Sequence, residues 1–297
     1  MPTSARRPSQ LRGRVFRGSR AVARGLLTRG ELRSKAWRTI FRDVYADAQL
    51  TVSHRTRCRA AARWLLPPGA AIAGRSAAAL FGAGFVADAE PLDVLVPAGQ
   101  RFGPVAGLAV HTAEVDRFEV QSHDGMSVTT PLRTCWDLAQ WLDLEESVVV
   151  VDRLLGRRLV RPEQLRDLAH NRRGARGWKR MLRVAELADA GAESAQESRL
   201  RVRLVLAGVP QPVTQFVVQR DGRFIARVDL AWPHLRIAVE YDGLWHDDPE
   251  QLHRDRRRLN RLLGEDWIVL HVTARRLRED FDGFLTELRQ AIHTRTR

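Results

Sequence analysis

Apolar positions along the chain switch between two periods. AARWLLP, GRSAAALFG and the long run PLRTCWDLAQWLDLEESVVVVDRLLG repeat at helical spacing, whereas PLDVLVPAG and LAVHTAEV read as strands. Ahead of them, 19–27 and 28–34 read as short helical stretches, followed by the basic, aromatic run KAWRTIFRDVYAD. A Gly/Arg-rich stretch over 171–177 leads into a helical 178–190, and Ala190 with Gly191 marks a boundary. Beyond it the pattern sharpens. ESAQESRLRVRLVLAG predicts a helix with Leu200 and Leu204 on one face and Gly208 near its end. VTQFVVQ, FIARVDLAW and LRIAVEYD predict strands, punctuated by Asp221 with Gly222 and by Pro233 with His234. Asp247 and Asp248 before Pro249 predict a helix start, and that helix runs to Gly264. WIVLHV then predicts a further strand and 275–294 a closing helix, so the order from Glu193 is αβββαβα.

Strand alternation gives this last segment its chemical interest. In FIARVDLAW, Phe224, Ala226, Val228, Leu230 and Trp232 face one way, and Asp229 faces the other with Ile225, Arg227 and Ala231. In LRIAVEYD, Glu240 shares a face with Arg236, Ala238 and Asp242. A two-residue turn at Pro233 and His234 would set Trp232 opposite Leu235. Asp229 and Glu240 then become diagonal neighbours on one face, ~7–8 Å apart. A slip of one residue would part them, and the apolar alternation opposes it. Glu197, three and seven residues before Leu200 and Leu204, continues the buried stripe of its helix towards the sheet. Carboxylates on central strands are costly to bury unless something offsets their charge. A divalent cation with oxygen ligands is one solution. Ion pairs are the other, from Glu197 to an arginine and from Asp229 to Arg227 or Arg236.

Composition adds two constraints. A hydrophobic fraction of 44% with 28% charged residues suits a folded globular protein, and there is no internal repeat or low-complexity tract. No apolar run approaches the ~18–20 residues that span a bilayer, the basic start MPTSARRPSQLRGR lacks a secretory signal, and Cys58 and Cys135 form no metal or disulfide pattern. A cytoplasmic protein without membrane partners is expected. The formal net charge of +14 favours a polyanion such as DNA, although an arginine bias of this kind also follows from a GC-rich genome, and an acidic protein would satisfy it too.

With these motifs in order, AESAQESRLRVRLVLAGVPQP, RVDLAWPHLRIAVEYDGLWH and DRRRLNRLLGEDWIVLHVT together resemble the DUF559 domain over about 193–292. That domain is related to the very-short-patch-repair endonucleases and belongs to the PD-(D/E)XK nuclease superfamily. The resemblance implies a restriction-endonuclease-like α/β fold and DNA as substrate. It implies Mg²⁺ or Mn²⁺ held by Asp229 and Glu240, with Glu197 as the helix carboxylate. The superfamily lysine two residues after the second acid is replaced by Asp242, and no lysine follows Lys179. The very-short-patch-repair group uses a histidine shortly after the strand instead, and His246 matches that place as general base or acid. His234 and His253 read as structural or surface residues, and Asp255 with Arg258 as a salt bridge. Arg254, Arg258 and Arg261 are candidates for following a phosphate backbone.

The N-terminal two thirds resembles, through LLTRGELRSKAWRTIFRDVYAD, GRSAAALFG and PLRTCWDLAQWLD, the AbiEi-type antitoxin arrangement of a winged-helix start and an α/β domain. Arg33, Lys35, Arg38 and Arg42 are then candidate phosphate contacts, with Tyr45 closing a short wing; a small helical cap is the plainer reading of this segment. The expected organisation is a basic arm over 1–13, a winged-helix-like segment over 14–48, an α/β middle domain over 50–185 and the endonuclease-like domain over 193–297. The expected function is a metal-dependent DNA endonuclease. The alternatives are an AbiEi-type antitoxin-like DNA-binding regulator with a catalytically inactive nuclease-like domain, and a protein-interaction module.

Overall fold

The computed structural model describes residues 6–84, 86–242, 262 and 264–296. The protein is mixed α/β, as the alternation of periods predicts. It divides into two compact units, Met1–Trp141 and Leu142–Arg297. The stretch 50–185, expected as one middle domain, is shared between them. No described helix is long and apolar enough to cross a membrane.

The first unit opens with strand β1 (Val15–Arg17), helix α1 (Gly18–Ala23), a 3-10 turn (Glu31–Arg33) and the hairpin β2 (Trp37–Phe41) and β3 (Val44–Asp47). Their sheet has the order β1-β3-β2. The helix expected over 28–34 is only the 3-10 turn. Gly30 precedes it and Ser34 leaves it extended, so too few residues remain to offset the cost of nucleating a longer helix. The basic, aromatic run is the hairpin itself, turning at Asp43 with a left-handed φ of 61°. Phe16 meets Trp37 edge-on with centroids 5.1 Å apart and stacks on Tyr45 at 6.0 Å. A Cβ at Gly18 would lie 2.4 Å from the Tyr45 ring, so glycine is what lets α1 begin beneath it.

After this come α2 (His54–Trp64), β4 (Ala71–Ile72), α3 (Gly74–Leu80), β5 (Leu92–Pro97), β6 (Leu108–Ala113), β7 (Val120–His123), β8 (Met126–Thr129) and α4 (Pro131–Trp141). The five strands form a mixed sheet of order β6-β5-β4-β8-β7. Leu92 and Val94 pack against Cys58 and Ala61 of α2 and Leu80 of α3. Cys58 and Cys135 are buried and unbridged, and burial pushes the Cys58 thiol up to about 12.

The second unit begins with α5 (Leu144–Gly156), α6 (Pro162–Asn171), α7 (Trp178–Leu187) and α8 (Ala195–Leu206). Strands β9 (Val213–Arg220), β10 (Arg223–Trp232), β11 (Ile237–Asp242) and β12 (Ile268–Thr273) follow, and then helices α9 (Ala274–Glu279) and α10 (Phe281–Thr296). The sheet order is β12-β11-β10-β9, antiparallel except for the parallel pair β11–β12. The single closing helix expected from the sequence is two helices, because Asp280 leaves helical geometry between them. Most of the helix expected over 247–264 lies outside the described residues. Leu200 and Leu204 of α8 pack with Leu230, Trp232, Ile237 and Val239 and with Phe284 of α10. Ala231 and Ala238 join Leu262 and Trp267 in a second cluster, as alternation requires. Ala226 and Val228, expected beside Leu230, pack in that second cluster instead. A bulge between Phe224 and Ala226 interrupts the pairing of β10 with β9 there.

A buried polar clamp joins α5 to α8. Asp152 and Arg201 are both fully buried, and Arg201 Nη2 donates to Asp152 Oδ2 at 2.7 Å. The same carboxylate accepts from Ser198 Oγ and from the backbone N–H of Asp189, each at 2.7 Å. Burial pushes the Asp152 carboxyl up to about 6 against the pull of Arg201, which leaves it ionised at neutral pH. Two further forks bind the same helices, Arg199 on Glu146 at 2.6 and 2.9 Å and Arg203 on Glu145 at 2.8 and 3.0 Å. Replacing Asp152 by alanine strands a buried guanidinium, so the variant is expected to lose about 3–5 kcal/mol of stability in urea unfolding at pH 7. A loss below ~1 kcal/mol would show that the clamp contributes little.

Candidate active site

The turn between β10 and β11 is longer than a two-residue turn. Pro233–Leu235 form a 3-10 turn and Arg236 takes a left-handed φ of 52°, which sets Trp232 opposite Ile237 instead of Leu235. The register therefore differs from the predicted one by two residues. An even shift preserves face where a strand alternates, but Val228 and Leu230 pack in opposite clusters, so parity by itself does not place Asp229. The last ladder pair is Leu230↔Val239, and the next step of that register brings Asp229 opposite Glu240.

At that step the sheet forks. Pairing of β10 with β9 runs on to Arg223↔Arg220, and β11 with β12 runs on to Asp242↔Thr273, while the β10–β11 ladder has ended. The Tyr241 backbone N–H donates to Asp229 Oδ2 at 2.8 Å. On β9, Gln215 falls between the pairs Val228↔Phe216 and Leu230↔Thr214, opposite Asp229. On β12, His271 is the register partner of Glu240. A lateral row of polar residues, Gln215, Asp229, Glu240 and His271, thus crosses all four strands.

Gln215 is the residue that strand parity did not single out. Its φ of 47° is left-handed, which a non-glycine residue adopts only at a cost on the order of 1–2 kcal/mol. Its Nε2 donates to Glu197 Oε2 at 3.0 Å and to Asp229 Oδ1 at 3.3 Å, so the two carboxylates lie within two hydrogen-bond lengths of each other. Both partners are acceptors, which fixes which end of the carboxamide is nitrogen. Its Oε1 is buried without a hydrogen-bond partner. The signal in the sequence was one glutamine inside an apolar strand, VTQFVVQ, and nothing in strand alternation ranks it above Gln219.

Glu197 is held at both ends. Ser194 caps α8 and accepts the Glu197 N–H at 3.1 Å, while Glu197 Oε2 accepts the Glu193 N–H at 2.9 Å. The residue is buried, as is Glu240 at 4% exposure. The ion pairs that would have explained the acids are made elsewhere. Arg227 reaches Glu193 at 2.9 Å, and Arg236 lies 3.7 Å from Asp266. Among the described residues no basic side chain pairs with Glu197 or Asp229. No group of three or more His, Cys, Asp and Glu side chains among them is gathered closely enough to hold a metal ion. Carboxylates are hard oxygen donors that suit Mg²⁺ or Mn²⁺, whereas Gln215 turns its nitrogen and not its oxygen to Glu197 and Asp229. Asp242, in the place of the superfamily lysine, lies 3.2 Å from His271 Nδ1 through each carboxylate oxygen. His246, Arg254, Arg258 and Arg261 lie outside the described residues.

No family model matches the chain. Two Mycobacterium tuberculosis proteins, described as uncharacterized protein Rv2248 and uncharacterized protein MT2308, are each 30% identical to it over 206 residues. The match covers 69% of this chain and 74% of each relative. The chain belongs to their family. The shared length is greater than either compact unit, so the likeness extends over residues of both.

The N-terminal candidates are spread over three elements of the first unit. Arg33 is on the 3-10 turn, Lys35 follows it, Arg38 is on β2 and Arg42 is at the hairpin tip, all four exposed. Arg38 donates to the Leu50 carbonyl at 2.8 Å. In the second unit, the crowding of acids at the fork implies a stability cost. Asp229→Asn keeps an acceptor for the Tyr241 amide and removes one negative charge. In metal-free buffer the variant is expected to gain up to about 1 kcal/mol, read as a thermal midpoint raised by a few degrees. A lowered midpoint would mean that the hydrogen bond lost from Gln215 Nε2 outweighs the relief of repulsion.

Proposed function

We propose that the second unit is a divalent-metal-dependent phosphodiesterase acting on DNA, of the DUF559 and very-short-patch-repair kind. The observation that carries this reading is the row Gln215, Asp229, Glu240 and His271 at the fork of the sheet, flanked by Glu197 and without a basic partner for Glu197 or Asp229. Carboxylates without a basic partner among the described residues, as Glu197 and Asp229 are, are costly as structure alone and useful for a cation.

Asp229 and Glu240 would hold Mg²⁺ or Mn²⁺. When bound, such an ion supplies a water of lowered pKa and neutralises charge growing on a scissile phosphate. The chain's own residues do the rest. Glu197, fixed by Ser194 and by the Gln215 amide, orients the attacking water. His246, assigned by resemblance, takes or delivers a proton, and His271, oriented by Asp242, stands at the end of the row as a second proton carrier. The exposed Arg33, Lys35, Arg38 and Arg42, with Arg254, Arg258 and Arg261, would contact DNA phosphates.

The test is cleavage of plasmid and oligonucleotide DNA with Mg²⁺ or Mn²⁺. Asp229→Ala is expected to reduce the rate at least ~100-fold, matching the loss of several kcal/mol of charge stabilisation. Cleavage that survives the substitution would place the activity elsewhere. DNA binding without any metal-dependent cleavage would favour the antitoxin-like regulator, a reading that the replacement of the superfamily lysine by Asp242 supports. Comparing His246→Ala with His271→Ala separates the two proton carriers: the one in use is expected to lose about 10²–10⁴-fold.

A further inference from the structure

The first unit contains a cleft of about 580 Å³ lined by six arginines and by no acidic residue. Arg14, Arg17, Arg20 and Arg24 come from β1, α1 and their flanks, and Arg59 and Arg63 from α2. All six side chains are exposed. Arg20 and Arg24 stand one turn apart on one wall, and Arg59 and Arg63 one turn apart on the other, so each wall presents a stacked pair. Arg33, Lys35, Arg38 and Arg42 take no part in the lining.

Compensation within the cleft is slight. Arg17 reaches Asp43 at 3.1 Å, and Arg59 lies 4.0 Å from Asp124, a carboxylate already taken by Arg55. Arg14, Arg20 and Arg24 have no acidic partner among the described residues. The surrounding residues do not dilute the charge, since 1–141 carry 20 arginines and lysines against 11 aspartates and glutamates. Like charges facing one another across a concave surface repel unless a counter-anion is present, and the concavity focuses their field. Guanidinium groups are the side chains best suited to phosphate oxygens.

We propose that this cleft grips the phosphodiester backbone of a single nucleic-acid strand. Its volume admits a run of sugar–phosphate and is too small to enclose a duplex. Trp64, half-buried on the lining and packed against the core, has the Arg63 guanidinium 5.3 Å from its ring centroid, which holds that guanidinium at the cleft. The surface is separate from the carboxylate row in the second unit and needs no metal.

The experiment is fluorescence anisotropy of labelled oligo-dT and of a duplex of equal length with the full chain in EDTA, over a salt series. In that buffer, hydrolysis and binding fail independently, and Asp229→Ala protein is expected to bind as the wild type does. The doubles Arg20→Ala/Arg24→Ala and Arg59→Ala/Arg63→Ala are each expected to weaken oligo-dT binding at least ~10-fold and to flatten the salt dependence by ~1–1.4 in log–log slope. A charge-matched control, Arg101→Ala/Arg117→Ala, outside the cleft, is expected to change affinity less than ~3-fold. Lysine at the same four positions should restore most of the affinity, which separates charge from folding damage. Equal losses in the cleft doubles and the control would overturn the proposal. So would duplex bound more tightly than oligo-dT, or polyglutamate competing as well as oligo-dT of equal charge.

Discussion

A helix carboxylate and a strand carboxylate cannot be held close together unless something keeps their repulsion in check, and in the second unit that something is neutral. The Gln215 carboxamide places one nitrogen between Glu197 and Asp229, and the Tyr241 backbone amide takes the far oxygen of Asp229. An arginine in that position would have satisfied both acids and cancelled their field. A carboxamide satisfies their hydrogen bonding and leaves the negative charge in place. The cost is visible in the backbone, since Gln215 reaches the acids only from a left-handed conformation within a strand.

The rest of the unit keeps this arrangement still. Glu197 is the third residue of α8, and the same helix carries Ser198 and Arg201 into the buried clamp on Asp152. Rotating the helix to withdraw Glu197 would tear a fully desolvated ion pair and both carboxylate forks of Arg199 and Arg203. Helix α5 is in this sense part of the site's support, although it contributes no side chain to the row. The fork itself follows from the turn. Four residues between β10 and β11, with Arg236 left-handed, start a ladder that ends before the acids. Tyr241 N–H then turns to a carboxylate.

The two units present opposite electrostatics at their distinctive features. The second holds Asp229 and Glu197 without a basic partner among the described residues. The first sets six arginines around a cleft with no acid on its lining. In the proposed reading a divalent cation would complement the acidic feature and a phosphodiester backbone the basic one. Binding strength and chemistry can therefore be changed separately by substitution, because no residue belongs to both.

The pattern of apolar positions was enough to locate α8 and the four strands of the second unit; it did not single out α6, and it read the two closing helices as one. Parity held for Ile237, Ala238 and Val239 through a register shift of two residues, and failed between Val228 and Leu230, on either side of Asp229. The same reading overextended the second N-terminal helix, because periodicity over seven residues does not outweigh Gly30, Ser34 and the cost of nucleation. It also did not find β7 and β8, whose four residues each are too few to show a period. Gln215 and His271 were illegible for a different reason. Each lies far in sequence from the acids it stands beside, and only the order β12-β11-β10-β9 brings them into one row. The arginine cleft is of the same kind, built from two helix faces that the sequence separates by more than thirty residues. Sequence alone determined local period, face and charge; tertiary structure decided which distant polar groups meet, because pairing across strands and between helices is set by packing and not by neighbourhood in the chain.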